Sequence, residues 1–145
     1  MSIVLYGSRP SPYVRRIRMF LEDVDYRFEE IDVYGEAGRA YFSKISPIMK
    51  LPLLVDGQQQ IFDSHVISDH IRKLRALPEL SIEQHNLISL VDAVTDSLII
   101  LFMGRRSGLT TDKEALIFKL QLERIPSSLE WLNQQATEGA FDQWA

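Results

Sequence analysis

The chain contains no cysteine. Disulfides, thiolate metal sites and a cysteine nucleophile are therefore excluded, and so is thiol–disulfide exchange by the protein itself. Histidine is scarce, with three in 145 residues. His65 and His70 are five apart and fall on different faces of a helix, so neither they nor His85 suggest a metal site. Basic charge is not in excess: 16 Lys and Arg face 20 Asp and Glu, for a net charge of -4. Broad nucleic-acid binding needs a basic face, so no nucleic-acid partner is expected. The longest unbroken apolar run, residues 98–103, is far short of a membrane span, so no membrane partner is expected. Met1-Ser2 leads directly into Ile3-Val4-Leu5-Tyr6, without a basic lead or an apolar signal core, and a cytoplasmic protein is the expectation.

What is present is ordinary for a globular chain: 46% hydrophobic and 25% charged residues, enough for a sizeable core. Ile3 to Tyr6 reads as a short buried strand and Gly7-Ser8-Arg9-Pro10 as a loop. Ser11 reads as an N-cap with Pro12 at the first helical position. That helix is expected to reach about Asp23, with Val14, Ile17 and Leu21 inward. Tyr26 to Val33 reads as a second strand, and Arg39 to Ile45 as a short helix. Leu51 to Val55 is a third strand with Pro52 at its beginning, where a missing ladder donor does least harm. Asp56-Gly57 signals a hairpin that returns through Gln60 to Phe62. Ser64 to Arg75 is a helix with Ile67, Ile71 and Leu74 inward. The order β-α-β-α-β-β-α, with one right-handed parallel crossover, gives a small mixed α/β sheet with helices on both faces.

After Ala76-Leu77-Pro78 the strand pattern stops. Ile82 to about Met103 reads as one long helix, with Leu87, Val91, Val94, Leu98 and Leu101 in a stripe. Gly104 to Thr111 reads as a turn. Asp112 to Gln135 reads as a second helix, striped by Phe118, Leu122, Ile125, Leu129 and Leu132, with a kink or break at Pro126. The expected organisation is one domain over residues 1–76 and an all-helical domain over residues 79–145, with Phe141 and Trp144 exposed near the end.

Three stretches carry the chemistry. Ser11-Pro12-Tyr13 opens a helix after a strand, where bare amides and a hydroxyl suit an anion; the plainer reading of Ser11 is a helix cap. Lys50-Leu51-Pro52 opens a strand, offering a cation and a backbone edge; the plainer readings are a surface Lys and a strand-start Pro. Asp63-Ser64 opens another helix, with amides for a carboxylate and an acid for an ammonium group, though the pair is also a common cap. Together they are suited to enclosing one small anionic peptide. Arg15, Arg16 and Arg18 read as a solvated face with buried stems.

The blocks Leu5-Tyr6-Gly7, Ser11 to Arg18, Pro47, Lys50 to Gly57 and Phe62-Asp63-Ser64 occur in an order that resembles the glutathione transferase family. The resemblance covers roughly residues 3–75, that family's thioredoxin-like domain. It implies a thioredoxin-like βαβαββα domain followed by an all-helical domain, truncated here, since this chain has room for only two long helices. Met49 departs from the pattern, standing where a Gly often precedes the Lys. The resemblance implies an enzyme that binds glutathione as co-substrate and promotes thiolate attack on a small apolar electrophile held between the domains, with no metal or redox cofactor. Ser11 is the implied catalytic residue, with Ser8 and Tyr6 as rival hydroxyls. The implied glutathione-binding residues are Lys50, Leu51, Pro52, Asp63 and Ser64. In that reading the Leu51-Pro52 bond is cis, Leu51 pairs with the tripeptide backbone, Lys50 meets a carboxylate with Arg9 as second candidate, and Asp63-Ser64 hold the γ-glutamyl end. The resemblance also implies a homodimer. It leaves open a non-catalytic relative that acts in protein–protein interaction.

Overall fold

The computed structural model describes residues 2–142, so the expectation for Trp144 lies outside the described residues. Two compact units divide the chain, Met1–Glu79 and Leu80–Ala145.

The first unit follows the expected order: β1 (Ile3–Gly7), α1 (Pro12–Phe20), β2 (Tyr26–Glu30), α2 (Glu36–Phe42), β3 (Leu53–Asp56), β4 (Gln59–Phe62) and α3 (Ser64–Leu74). The strands form one mixed sheet in the order β2-β1-β3-β4. β1 and β2 are parallel across the α1 crossover, whereas β1 with β3 and β3 with β4 are antiparallel. Alternation along the strands sorts side chains onto two faces. Ile3, Leu5, Leu54 and Ile61 join Ile17 and Leu21 near α1 and Ile67 and Ile71 of α3 in one core. Tyr6, Leu53, Val55 and Phe62 pack with Phe42 of α2 in a second core on the other face. The β3–β4 turn is Gly57-Gln58, with Gly57 at φ 60, a conformation Gly takes without steric cost.

Several boundaries differ from the sequence reading. α1 stops at Phe20 because Leu21 turns into the core, its amide shared between the Ile17 and Arg18 carbonyls. β2 stops at Glu30 because the Asp32 carboxylate takes the Tyr34 amide, at 3.0 Å, and bends the chain. α2 lies earlier than Arg39 to Ile45. It begins at Glu36, an acid in the first turn, and Gly38 passes so close to the Asp32 carbonyl that no Cβ would fit there. Leu74 is half-exposed rather than inward. An eleven-residue helix spans about 16 Å and a four-residue strand about 13 Å, so the last turn of α3 overshoots the sheet. That turn is tied instead by Arg75, which bonds the Phe20 carbonyl and Asp23.

The second unit is a pair of packed helices, α4 (Ile82–Arg106) and α5 (Leu116–Thr137). α4 starts with a capping box, Ser81 and Gln84 each bonding the other's amide. It runs through Gly104 and ends where Gly108, at φ 78, lets the Leu109 amide reach the Gly104 carbonyl. The turn expected at Gly104 is therefore helix. Glycine is required there for packing: a Cβ would lie 2.7 Å from the buried Phe118 ring and 2.9 Å from the Thr111 methyl. Gly104→Ala is expected to lower stability by about 1–3 kcal/mol through overpacking, read as a lower urea midpoint at unchanged m-value.

The expected stripes are only partly buried. Leu87, Val94, Leu101 and Phe118 are buried, but Val91, Leu98 and Leu129 are about half-exposed. Polar residues fill the seam instead: Ser97 donates to Gln121 Oε1 at 2.9 Å, Arg124 donates to the same oxygen at 2.8 Å, and Gln121 Nε2 donates to the Ile117 carbonyl. α5 passes through Pro126 without a break. By length and composition α4 as a whole is long and apolar enough to cross a membrane. About a third of its apolar stretch is buried, and its buried residues include Asp92, Ser97 and Gly104.

Candidate functional site

Strand register brings the three motifs to one end of the sheet. Tyr6 is opposite Leu53, and Leu53 is opposite Phe62. The exit of β1, the entry of β3 and the exit of β4 are thus adjacent, about 10 Å across at the usual strand spacing. Ser11 follows the first, Leu51-Pro52 precede the second and Asp63-Ser64 follow the third. α1 and α3 both begin at this end, so two sets of bare helix amides lie beside it.

Ser11 caps α1. Its backbone is extended at φ -68 and ψ 125, and its Oγ accepts the Val14 amide at 3.4 Å. Accepting that bond leaves the hydroxyl hydrogen available for donation. No acid stands in the first turn to offset the helix dipole. Gly7 makes the placement possible: a Cβ there would lie 2.5 Å from Val14 Cγ1 and 3.0 Å from the Phe28 ring. The first turn of α1 therefore sits directly on the end of β1.

The rival hydroxyls are placed differently. Tyr6 faces the second core and is hydrogen-bonded to Tyr41. Burial pushes its phenol above the ordinary range, and the Tyr41 bond, the next cause, acts in the same direction. Nothing local in the sequence marks Tyr41 as this partner. Ser8 contributes its carbonyl, which accepts the Ser11 amide at 3.0 Å.

At the entry of β3, Pro52 is buried, Leu51 is partly buried and Lys50 is exposed. The Leu51-Pro52 peptide bond is cis. The ladder begins at Leu53, so the Leu51 amide and carbonyl have no backbone partner among the described residues. Arg9 points elsewhere: it pairs with Glu30 at 3.0 Å and lies over the Phe28 ring. Arg18 lies over the same ring and Arg16 over Tyr13, so these guanidinium groups rest on aromatic faces.

At the exit of β4, Asp63 is exposed and caps α3, its Oδ1 accepting the His65 amide at 2.8 Å. Its backbone sits at φ 72 and ψ 134, a region that costs a non-glycine residue about 1–3 kcal/mol. Ser64 behind it is buried, and its carbonyl accepts the Ser68 hydroxyl at 2.7 Å. Among the described residues no group of three or more His, Cys, Asp or Glu is arranged to hold a metal ion. His70 bonds Asp56 at 3.0 Å, at the hairpin end of β3 and away from the motifs.

Comparison with known proteins agrees with this geometry. Residues 5–79 match the model of the glutathione S-transferase N-terminal domain. The chain is 25% identical over 148 residues to an uncharacterized GST-like protein, YibF, of Escherichia coli K12, covering 94% of this chain and 71% of that one. Among solved structures, a glutathione transferase family member of Pseudomonas fluorescens Pf-5 with bound glutathione superposes with a TM-score of 0.81 at 19% identity, over 98% of this chain and 75% of its own. A glutathione S-transferase of Methylobacillus flagellatus KT with glutathione bound gives a TM-score of 0.76 at 19% identity, over 92% and 69%. The fold is thus a thioredoxin-like unit followed by a helical unit. With the family match spanning just over half of its length, the chain belongs to the glutathione S-transferase family.

Proposed function

We propose that this chain is a glutathione transferase: residues 1–76 bind glutathione and activate its thiol, residues 79–145 form the helical domain, and the product is a thioether with a small apolar electrophile. The observation that carries the reading is the convergence of two helix N-termini and the unladdered Leu51 backbone at one end of the sheet. Leu51 pairs with the extended tripeptide as an added strand would. The α3 amides and Ser64 take the γ-glutamyl carboxylate, Asp63 takes its ammonium group, and Lys50 meets the remaining carboxylate. The sulfur lies at the start of α1, where Ser11 donates to it.

A free thiol has a pKa of about 8.5, so only a few per cent is thiolate at neutral pH. The α1 dipole and the Ser11 donor both favour the anion, and each unit of depression is worth about 1.4 kcal/mol. The thiol proton leaves to solvent, the sulfur bonds to the electrophilic carbon, and a leaving group departs with the carbon's former bonding pair. No metal or redox cofactor enters this chemistry. The chain acts as a cytoplasmic homodimer, with no nucleic-acid or membrane partner.

Titration calorimetry with glutathione, followed by a chromogenic conjugation assay, tests the proposal. Binding heat and turnover are expected. Binding without turnover turns the reading to a non-catalytic glutathione-binding protein that acts through protein–protein contact. Absence of binding by a folded chain sinks both.

A further inference from the structure

Resting on that reading, we infer that Ser46 is a positioning residue for the glutathione-binding edge, its hydroxyl finding a partner only when the Lys50-Leu51 segment closes on the tripeptide. Ser46 is 1% exposed, and its Oγ has no hydrogen-bond partner among the described residues. A buried hydroxyl without a partner is worse than a buried methyl, so alanine would be the more stable choice at this position. Such groups in folded proteins call for a specific explanation, and a functional site is one.

The location supplies that explanation. Ser46 opens a four-residue turn, Ser46-Pro47-Ile48-Met49, which delivers the chain into Lys50, Leu51 and the start of β3. Ser at the first position and Pro at the second are favoured turn chemistry, and Gly is favoured at the fourth. The fourth residue is Met49, held at φ 52 in the left-handed region. The closing bond, from the Met49 amide to the Ser46 carbonyl, is long at 3.4 Å. An unsatisfied hydroxyl, a left-handed non-glycine residue and a stretched closing bond therefore occupy one turn. Beyond it the Lys50 and Leu51 amides have no backbone partner among the described residues until the ladder begins at Leu53.

A Ser hydroxyl at the first turn position can accept the amide two or three residues on, an alternative to the carbonyl bond. A tripeptide pairing with the Leu51 backbone draws this segment toward itself, and the Ser46 hydroxyl then takes the Ile48 or Met49 amide. The turn tightens as the ligand binds.

The test compares the full-length wild type with Ser46→Ala and Ser46→Asn, measuring thermal midpoint and calorimetric affinity for glutathione. Ser46→Ala is expected to raise the midpoint and to weaken glutathione binding by fivefold or more, with kcat nearly unchanged. Ser46→Asn restores an acceptor at the first turn position and is expected to recover most of the affinity. A higher midpoint with unchanged affinity overturns the inference and makes Ser46 a plain packing defect. A lower midpoint also overturns it, by showing that the hydroxyl is already satisfied in the empty protein. A folded wild type that gives no heat with glutathione removes the functional reading and this inference together, whereas normal wild-type binding with an indifferent alanine variant removes this inference alone.

Discussion

Ser11→Ala should lower kcat/KM for conjugation at pH 7 by more than tenfold, a loss of at least about 1.4 kcal/mol of transition-state stabilisation. In the proposed mode the hydroxyl donates to the sulfur in its charged state, and removing one donor aimed at developing or standing anionic charge typically costs about 10²–10³ in rate. The bare amides of α1 remain, which places the expected effect toward the lower end. The pH profile identifies the cause. The reactive species is the thiolate, and a lost donor is expected to raise the thiol pKa of bound glutathione by about one to two units. The rate at pH 7 therefore falls, and the deficit shrinks as pH rises past the new value. A loss that is constant with pH would point to misplacement of the substrate. Ser11 also caps α1, but the Val14 amide bond is long at 3.4 Å, so the stability cost belongs near the low end of capping effects, about 0.5 kcal/mol. Ser11→Thr keeps donor and cap and should retain most of the activity. An unchanged rate in the alanine variant would move the role to Ser8, Tyr6 or the backbone, with Tyr6 the weaker candidate because burial and its bond with Tyr41 hold its phenol above the ordinary range.

The first unit was readable because local signals and tertiary constraints agree there. Pro12 after Ser11, Gly57 after Asp56 and Asp63 before Ser64 each mark a backbone change that the structure makes at that place. Apolar alternation in β1 and β3 then leaves one register in which both faces are buried, and that register alone brings the motifs to a common end. The errors arise where a side-chain bond or a close approach decides, near in the chain or far. Asp32 ends β2 by a side-chain bond, and its carbonyl sets where α2 can begin. Gly104 looks like a stop signal and is instead a socket for Phe118, fourteen positions on. The α4–α5 seam was the least legible part. Ser97 and Gln121 occupy buried positions that hydrophobic periodicity assigns to apolar residues, and they do so because each satisfies the other. Of the candidate site, the residue types and their common location were legible. The engagement of Tyr6 by Tyr41, the diversion of Arg9 to Glu30 and the unsatisfied Ser46 were not, since each depends on a side chain reaching another element or failing to.

Asp63→Asn should raise KM for glutathione about tenfold while changing kcat less than about threefold, since a hydrogen bond to a charged group contributes about 1.5–3 kcal/mol and this one is made equally in ground and transition states. The exposed carboxylate would contribute less as an ordinary surface pair, but in the proposed mode the tripeptide would shield it from water. Asparagine retains an oxygen for the His65 amide, now accepted at 2.8 Å by the carboxylate, so the cap survives and the charge does not. Asp63→Gly separates function from stability. At φ 72 and ψ 134 glycine removes about 1–3 kcal/mol of backbone strain, against about 0.5–1 kcal/mol of extra chain entropy in the unfolded state and a few tenths for a Gly cap. The glycine variant is therefore expected to be as stable as the wild type or more so, and to bind glutathione at least tenfold more weakly. A residue kept in a costly conformation that glycine would relieve, and whose relief abolishes binding, is held there for the ligand. A glycine variant that is less stable and binds normally would make Asp63 a helix cap and nothing more. A variant at this position that loses kcat at constant KM would place the γ-glutamyl ammonium elsewhere and leave the α3 amides and Ser64 to hold the carboxylate alone.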